Sequence, residues 1–286
     1  MKIILAEHYG LCFGVRDAIA EAERLAKTEP VTVLGELAHN PIVRQRLSRA
    51  GVREGALEDL ASSETSRVMI TAHGASDANR AAWRDAGFDV SDGTCPLVKQ
   101  AHAHLACLVE LGYSPVVIGK PGHIEVRGLT GDFPDTIVIE RGDDVDRLPY
   151  KERFGVISQT TQQIEKVRAL VEKIRLRHPA SEVRFVDTVC QPTKNRQVAL
   201  RKLIAEADTL VVVGGRNSNN TLQLVAAATV AGRRVYHVER ASELAPAWFY
   251  RSEVIGITAG TSTLKETVAS VHARLREIAA MVEAVG

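Results

Sequence analysis

The 286-residue chain is expected to form an α/β fold of three similar units with mostly parallel sheets. Three observations point to it. Strand-like apolar runs alternate with amphipathic helices along the chain. Three cysteines, Cys12, Cys95 and Cys190, each stand between such a strand and such a helix. A glycine closing a second strand follows each cysteine after 23, 24 and 24 residues.

The elements take their places from these markers. Lys2 to Ala6, Phe88 to Val90 and Val183 to Val186 read as the strands before the cysteines. The first helix is expected over Val15 to Lys27, with Ala18, Ile19, Ala22 and Leu25 on one face. The second starts at Pro96 and the third near Pro192, because a helix's first turn tolerates the missing N–H of proline. The second strands are Val31 to Gly35, Val116 to Gly119 and Leu210 to Gly214, and four residues past each glycine stand His39, His123 and Ser218. Third strands end in the polar turns Thr71-Ala72-His73-Gly74, Ser158-Gln159-Thr160-Thr161 and Thr258-Ala259-Gly260-Thr261-Ser262. Ligands of open parallel sheets bind beyond the carboxyl ends of the strands. A pseudo-threefold arrangement would therefore turn all of these loops toward one cavity. The expected units are 13–95, 96–189 and 190–286, with residues 1–12 able to join the third.

Composition narrows the classes of function. With 45% hydrophobic and 25% charged residues the chain is ordinary for a globular protein. A net charge of +1 gives no basic field for nucleic acid, so any anion site must be local. Apolar runs are short, such as Leu210 to Val213, and none is expected to span a membrane. The N-terminal apolar run is too short for a secretory signal, which makes the cytoplasm, where thiols stay reduced, the expected compartment. Four cysteines without a CxxC pair suit neither a disulfide framework nor a zinc ribbon. Cys107, inside the second helix, reads as a core residue.

A helix N-terminus favours negative charge, so thiolates are at home at the three junctions. Three thiolates can hold three irons of a cubane and leave the fourth open, and an open Lewis-acidic iron suits a substrate oxygen. One such cysteine alone reads better as a small buried apolar residue; recurrence at three equivalent places favours metal. The loops Gly35 to Pro41, Thr71 to Ser76, Gly122 to Val126, Gly214 to Thr221 and Thr258 to Thr263 offer free N–H groups to an anion. Each turn taken singly reads equally as a helix cap. His39, His73 and His123 in corresponding loops are what favours an anion pocket.

The segments Gly10-Leu11-Cys12-Phe13-Gly14-Val15, Gly35-Glu36-Leu37-Ala38-His39-Asn40-Pro41, Thr71-Ala72-His73-Gly74, Asp92-Gly93-Thr94-Cys95-Pro96, Gly122-His123-Ile124-Glu125-Val126, Ser158-Gln159-Thr160-Thr161, Asp187-Thr188-Val189-Cys190, Asn195-Arg196-Gln197 and Val213 to Thr221 resemble, in order and spacing, the signature of the IspH/LytB family of 4-hydroxy-3-methylbut-2-enyl diphosphate reductases. The resemblance covers nearly the whole chain. It implies a trefoil of three α/β units around a central [4Fe-4S] cluster held by Cys12, Cys95 and Cys190, with one open iron. It also implies that His39, His73 and His123 surround the substrate diphosphate, with Ser218, Asn219, Asn220 and Ser262 as further contacts. Glu125 matches the acid tied to proton delivery, and Thr160 the hydroxyl beside it. The implied reaction is a two-electron, two-proton reductive dehydration of an allylic diphosphate, giving isopentenyl and dimethylallyl diphosphates. A reduced ferredoxin- or flavodoxin-type protein is the implied donor, with no nucleic-acid or membrane partner. On the residues alone, Glu125 reads equally as a carboxylate complementing a helix start. The rival functions are an iron–sulfur dehydratase without net electron transfer and an iron–sulfur sensor. Asn219, Ile124, Ser158 and Thr263-Leu264-Lys265 depart from the family's frequent residues, which touches loop shape more than chemistry.

Overall fold

The computed structural model describes residues 1–38 and 40–285. In chain order its elements are β1 (Lys2–Leu5), α1 (Phe13–Ala26), β2 (Val31–Leu34), α2 (Pro41–Arg49), β3 (Val52–Gly55), β4 (Arg67–Ile70), α3 (Asp77–Asp85), β5 (Asp89–Asp92), α4 (Pro96–Glu110), β6 (Ser114–Ile118), α5 (Ile124–Thr130), β7 (Ile137–Ile139), α6 (Gly142–Asp146), β8 (Arg153–Ser158), α7 (Ile164–Arg177), β9 (Glu182–Phe185), α8 (Gln191–Glu206), β10 (Thr209–Val213), α9 (Asn219–Val230), β11 (Arg234–Val238), β12 (Val254–Ala259) and α10 (Lys265–Val285). The continuous apolar runs become interior strands: β2 and β10 are buried at every position, as strands covered on both faces must be.

The strands form three four-stranded parallel sheets, ordered β1-β12-β10-β11, β3-β2-β4-β5 and β7-β6-β8-β9. The same order recurs in each. A strand leading to a cysteine pairs with the strand ending in a polar turn, which pairs with the strand ending in glycine. The fourth strand of each sheet, β3, β7 or β11, is not among those expected from the sequence.

The chain packs as two compact units. One comprises Met1–Val15, Ala38–Gln45 and Gln191–Gly286, and the other Arg16–Leu37 and Arg46–Cys190. In the first, β10 divides its side chains by the two-residue period of a strand. Val211 and Val213 join Phe249, Ile257, Val271 and Leu275 on one face. Leu210 and Val212 join Leu200, Leu203 and Leu224 on the other. In the second unit β6 repeats the device. Val116 and Ile118 pack with Phe154, Val167 and Ile174, while Val117 packs with Leu105, Leu108 and Leu129.

Cys107 corrects the sequence expectation, because it is exposed. The buried residues of α4 are Val98, Ala101, Leu105 and Leu108, one stripe of the helix. At 100° per residue Cys107 falls on the opposite side. Among the described residues no helix is long and apolar enough to cross a membrane.

Candidate active site

Each of the three junction cysteines is positioned by the same backbone device. A cysteine immediately before a helix has an N–H with no helical partner; here that group continues the sheet ladder one step beyond the strands. In the first unit the Cys12 N–H donates to the Thr261 carbonyl at 3.2 Å. In the second, Cys95 donates to Ala72 at 3.1 Å and Cys190 to Thr160 at 2.9 Å. The acceptors lie in the polar turns after β12, β4 and β8, so every cysteine is registered against a turn that carries a candidate substrate group: Ser262, His73 or Thr160. None of the three cysteines is in a disulfide, and each is half-buried. Among the described residues no three His, Cys, Asp or Glu side chains form a single-ion site. Cysteines outside any disulfide at helix starts, where the dipole favours negative charge, are the donor chemistry an iron–sulfur cluster requires.

In the second unit, His73 and His123 meet edge to face with ring centroids 5.8 Å apart. His73 Nδ1 lies 3.3 Å from Thr71 Oγ1. His123 is the N-cap of α5, its Nδ1 accepting the Glu125 N–H at 3.2 Å. An accepting Nδ1 leaves the proton of the neutral ring on Nε2. The capping and the anion-binding readings of this loop are therefore compatible, since one nitrogen caps and the other is a donor.

Glu125 occupies the first turn of α5 and is 2% exposed. Its Oε1 accepts the Thr160 backbone N–H at 2.5 Å. Burial pushes its carboxyl up to about 7, against the opposing pull of the hydrogen bonds from Thr160. A carboxyl in that range exchanges its proton near neutral pH, which a general acid needs.

In the first unit, Ser218 caps α9 by accepting the Thr221 N–H. Asn220, 4% exposed, accepts the Thr261 N–H at 3.1 Å and so joins the α9 start to the turn after β12. Asn219 is half-buried in the same first turn. Ser262 is 5% exposed, and its hydroxyl has no hydrogen-bond partner among the described residues. A buried hydroxyl left this way forfeits free energy unless a ligand completes it. The approach is close: a Cβ at Gly260 would stand 2.0 Å from Thr221 Oγ1, so only glycine fits there. His39 lies outside the described residues. Its neighbour Asn40 caps α2 through the Ile42 N–H at 2.9 Å and donates to the Ser262 carbonyl at 3.3 Å. Asn40 was not among the expected site residues, although an Asn-Pro pair before an apolar helix signals a cap. Arg216 is a surface residue paired with Glu243, and Lys120 is exposed.

A parallel α/β protein with three cysteines at helix starts, histidines in its strand-end turns and a buried carboxyl raised to about 7 carries groups suited to redox chemistry, and its relatives place it among the oxidoreductases. Comparison with known proteins narrows this. The profile of the family described as LytB protein matches residues 3–276. A 4-hydroxy-3-methylbut-2-enyl diphosphate reductase of Pelobacter propionicus is 37% identical over 280 residues, covering 97% of this chain and 99% of the relative. The reductase of the same name from Aquifex aeolicus is 36% identical and covered to 97% on both sides. Among solved structures, the E-1-hydroxy-2-methyl-but-2-enyl-4-diphosphate reductase of Plasmodium falciparum superposes with a TM-score of 0.87 at 27% identity, over 94% of this chain and 86% of that one. A second, an (E)-4-hydroxy-3-methyl-but-2-enyl diphosphate reductase that is the terminal enzyme of the non-mevalonate pathway, gives a TM-score of 0.68 at 36% identity, over 97% of this chain and 100% of that one. The chain belongs to the LytB family.

Proposed function

We propose that this protein reduces 4-hydroxy-3-methylbut-2-enyl diphosphate to isopentenyl and dimethylallyl diphosphates, taking up two electrons and two protons and releasing water. The observation that carries the reading is the repeated registration of a cysteine N–H against a turn bearing a substrate-side group. Family membership and the names of the relatives support it.

Cys12, Cys95 and Cys190 would hold a [4Fe-4S] cluster, which when bound supplies the reducing electrons and, with three protein ligands, one open Lewis-acidic iron. The chain's own residues do the rest. His39, His73 and His123, with Ser218, Asn219, Asn220 and Ser262, hold the diphosphate by imidazole, hydroxyl and amide donors, and the Ser262 hydroxyl gains a partner that no other described residue gives it. Glu125, buried and protonated at and below about pH 7, supplies the proton with which the allylic hydroxyl leaves as water, and Thr160 fixes its carboxyl. The three units 13–95, 96–189 and 190–286 with 1–12 would form a trefoil that gathers the loops; the sheet β2 to β5, the sheet β6 to β9 and the sheet of β10, β11, β12 and β1 fall within those bounds. A reduced ferredoxin- or flavodoxin-type protein is the proposed donor, and the cytoplasm, where thiols stay reduced, the proposed compartment.

The test is an anaerobic assay of iron-reconstituted protein with a chemical reductant and the allylic diphosphate. The reading expects reductant-dependent formation of the two five-carbon diphosphates. Consumption without reductant would indicate a dehydratase instead, and no consumption by iron-loaded protein would overturn the assignment.

A further inference from the structure

The turn that follows β4 and the loop that leads to Cys95 are joined by more than the sheet. Arg80, on the first turns of α3, has a side chain only 12% exposed. Its Nη1 donates to the carbonyl of Ala75, two residues beyond His73, and to Asp77 at 3.1 Å. Its Nη2 donates to the Thr94 hydroxyl, one residue before Cys95, at 3.2 Å. The Thr94 hydroxyl in turn donates to Asp92, whose carboxylate also accepts the Thr94 N–H at 2.9 Å and pairs with Lys99 at 3.0 Å. Arg80 Nε lies 3.8 Å from the same carboxylate. Between the two loops there is little slack. A Cβ at Gly74 would stand 3.1 Å from Thr94 Cγ2 and 3.2 Å from Val98.

We infer that Arg80 is a positioning residue that fixes His73 and Cys95 to one another, so that the substrate side and the metal side of this sheet move as one block. The planar guanidinium is what the job needs. Its fork holds two acceptors in a fixed relation and it keeps its charge at every relevant pH. The neutralising carboxylates, Asp77 and Asp92, let the cation sit in a nearly closed position without an unpaired charge. The inference rests on the proposed function, because it assigns His73 to the diphosphate and Cys95 to the cluster.

The experiment uses the cluster-loaded protein and two variants. Arg80→Gln removes the fork. Asp132→Ala is the control, because Asp132 anchors the same helix by accepting the Asp77 and Ala78 N–H groups at 2.7 and 3.0 Å, bonds that go to the helix backbone rather than to the histidine turn or the cysteine loop. Two properties are read without turnover: affinity for inorganic diphosphate by titration calorimetry, and the midpoint potential of the cluster by anaerobic redox titration followed by electron paramagnetic resonance. Arg80→Gln should weaken diphosphate binding by about five- to tenfold. It should also move the midpoint potential down, because a nearby positive charge favours the more negative reduced state. Asp132→Ala should lower the unfolding temperature and leave both properties unchanged. The inference fails if Arg80→Gln moves neither property, or if Asp132→Ala moves both as far. If the wild-type protein itself takes up no cluster or no diphosphate, the proposed function fails instead, which separates the two outcomes.

Discussion

Two carboxylates of the second unit each accept a threonine N–H: Asp92, in the loop between β5 and Cys95, and Glu125, in the first turn of α5 against the turn after β8. The two carboxylates titrate in opposite directions. At Asp92, burial pushes the carboxyl up, but the hydroxyl and N–H of Thr94, Lys99 and Arg80 outweigh it and hold it below the ordinary range. At Glu125 burial dominates, only Thr160 opposes it, and the carboxyl rises to about 7. Two things differ: Glu125 is far more deeply buried, and Asp92 has the Thr94 hydroxyl and N–H and then two cations set against its burial. A carboxylate with two cations beside it becomes a fixed strut; one buried with neutral donors becomes a carrier of protons. The same pairing of a carboxylate with a threonine N–H thus yields a fixed strut in one place and a reactive group in another.

The largest expected effect of breaking this contrast is on turnover. Glu125→Gln keeps shape and hydrogen-bonding reach but has no proton to give. It should cut turnover by about 10²-fold or more, chiefly in kcat, while the visible spectrum of the cluster and substrate binding persist. Near-normal turnover in a stopped assay would show that another group delivers the proton.

The contrast also predicts opposite slopes of stability with pH. Glu125 is raised in the folded state, so its contribution is full below its ordinary value of 4.5 and is lost as pH rises through about 7. At one pKa unit per about 1.4 kcal/mol the loss is on the order of 3 kcal/mol. Asp92 is lowered, so its contribution is present above 3.8 and is lost as pH falls through its folded value. Urea unfolding between about pH 5 and pH 8 should therefore show a decline toward high pH that Glu125→Gln abolishes. An unchanged slope in the variant would remove Glu125 as its source.

At the charged turn the effect should fall on binding. His73→Ala should weaken diphosphate affinity about tenfold, the scale of one hydrogen bond to a charged group, with a smaller change in kcat. The smallest effect is expected at Cys107, which is exposed and away from the junctions. Cys107→Ala should leave iron content unchanged and stability within about 0.5 kcal/mol, whereas Cys95→Ala should lose iron.

The parts of this arrangement that the sequence made legible are those enforced by local chemistry. Pro96 in a first turn, glycine at a strand end and unbroken apolar runs such as Leu210 to Val213 have one cheap local solution each. The outer strands were not legible. Within β3, Arg53 and Glu54 are exposed, and β7 has only three residues, so neither leaves a periodic pattern. Cys107 misled because a cysteine in an apolar stretch reads as core, and only the helix phase sets it outside. At the site, the residue types were readable from their loops, but the burial of Glu125 was not. That property depends on which neutral groups the fold packs around it, and its rival reading as a helix-start carboxylate is also true of its position. Arg80 left no signal at all, since an arginine one turn into a polar helix is ordinarily solvated.

The claim that joins these observations is that Glu125 carries a proton near neutral pH while Asp92 does not. Infrared difference spectroscopy of the wild-type protein against Glu125→Gln, titrated anaerobically, measures this directly through the carbonyl stretch of a protonated carboxyl. The account predicts a band assigned to Glu125 that disappears with a midpoint near pH 7. A band lost near the ordinary 4.5, leaving the group ionised at neutral pH, would contradict it.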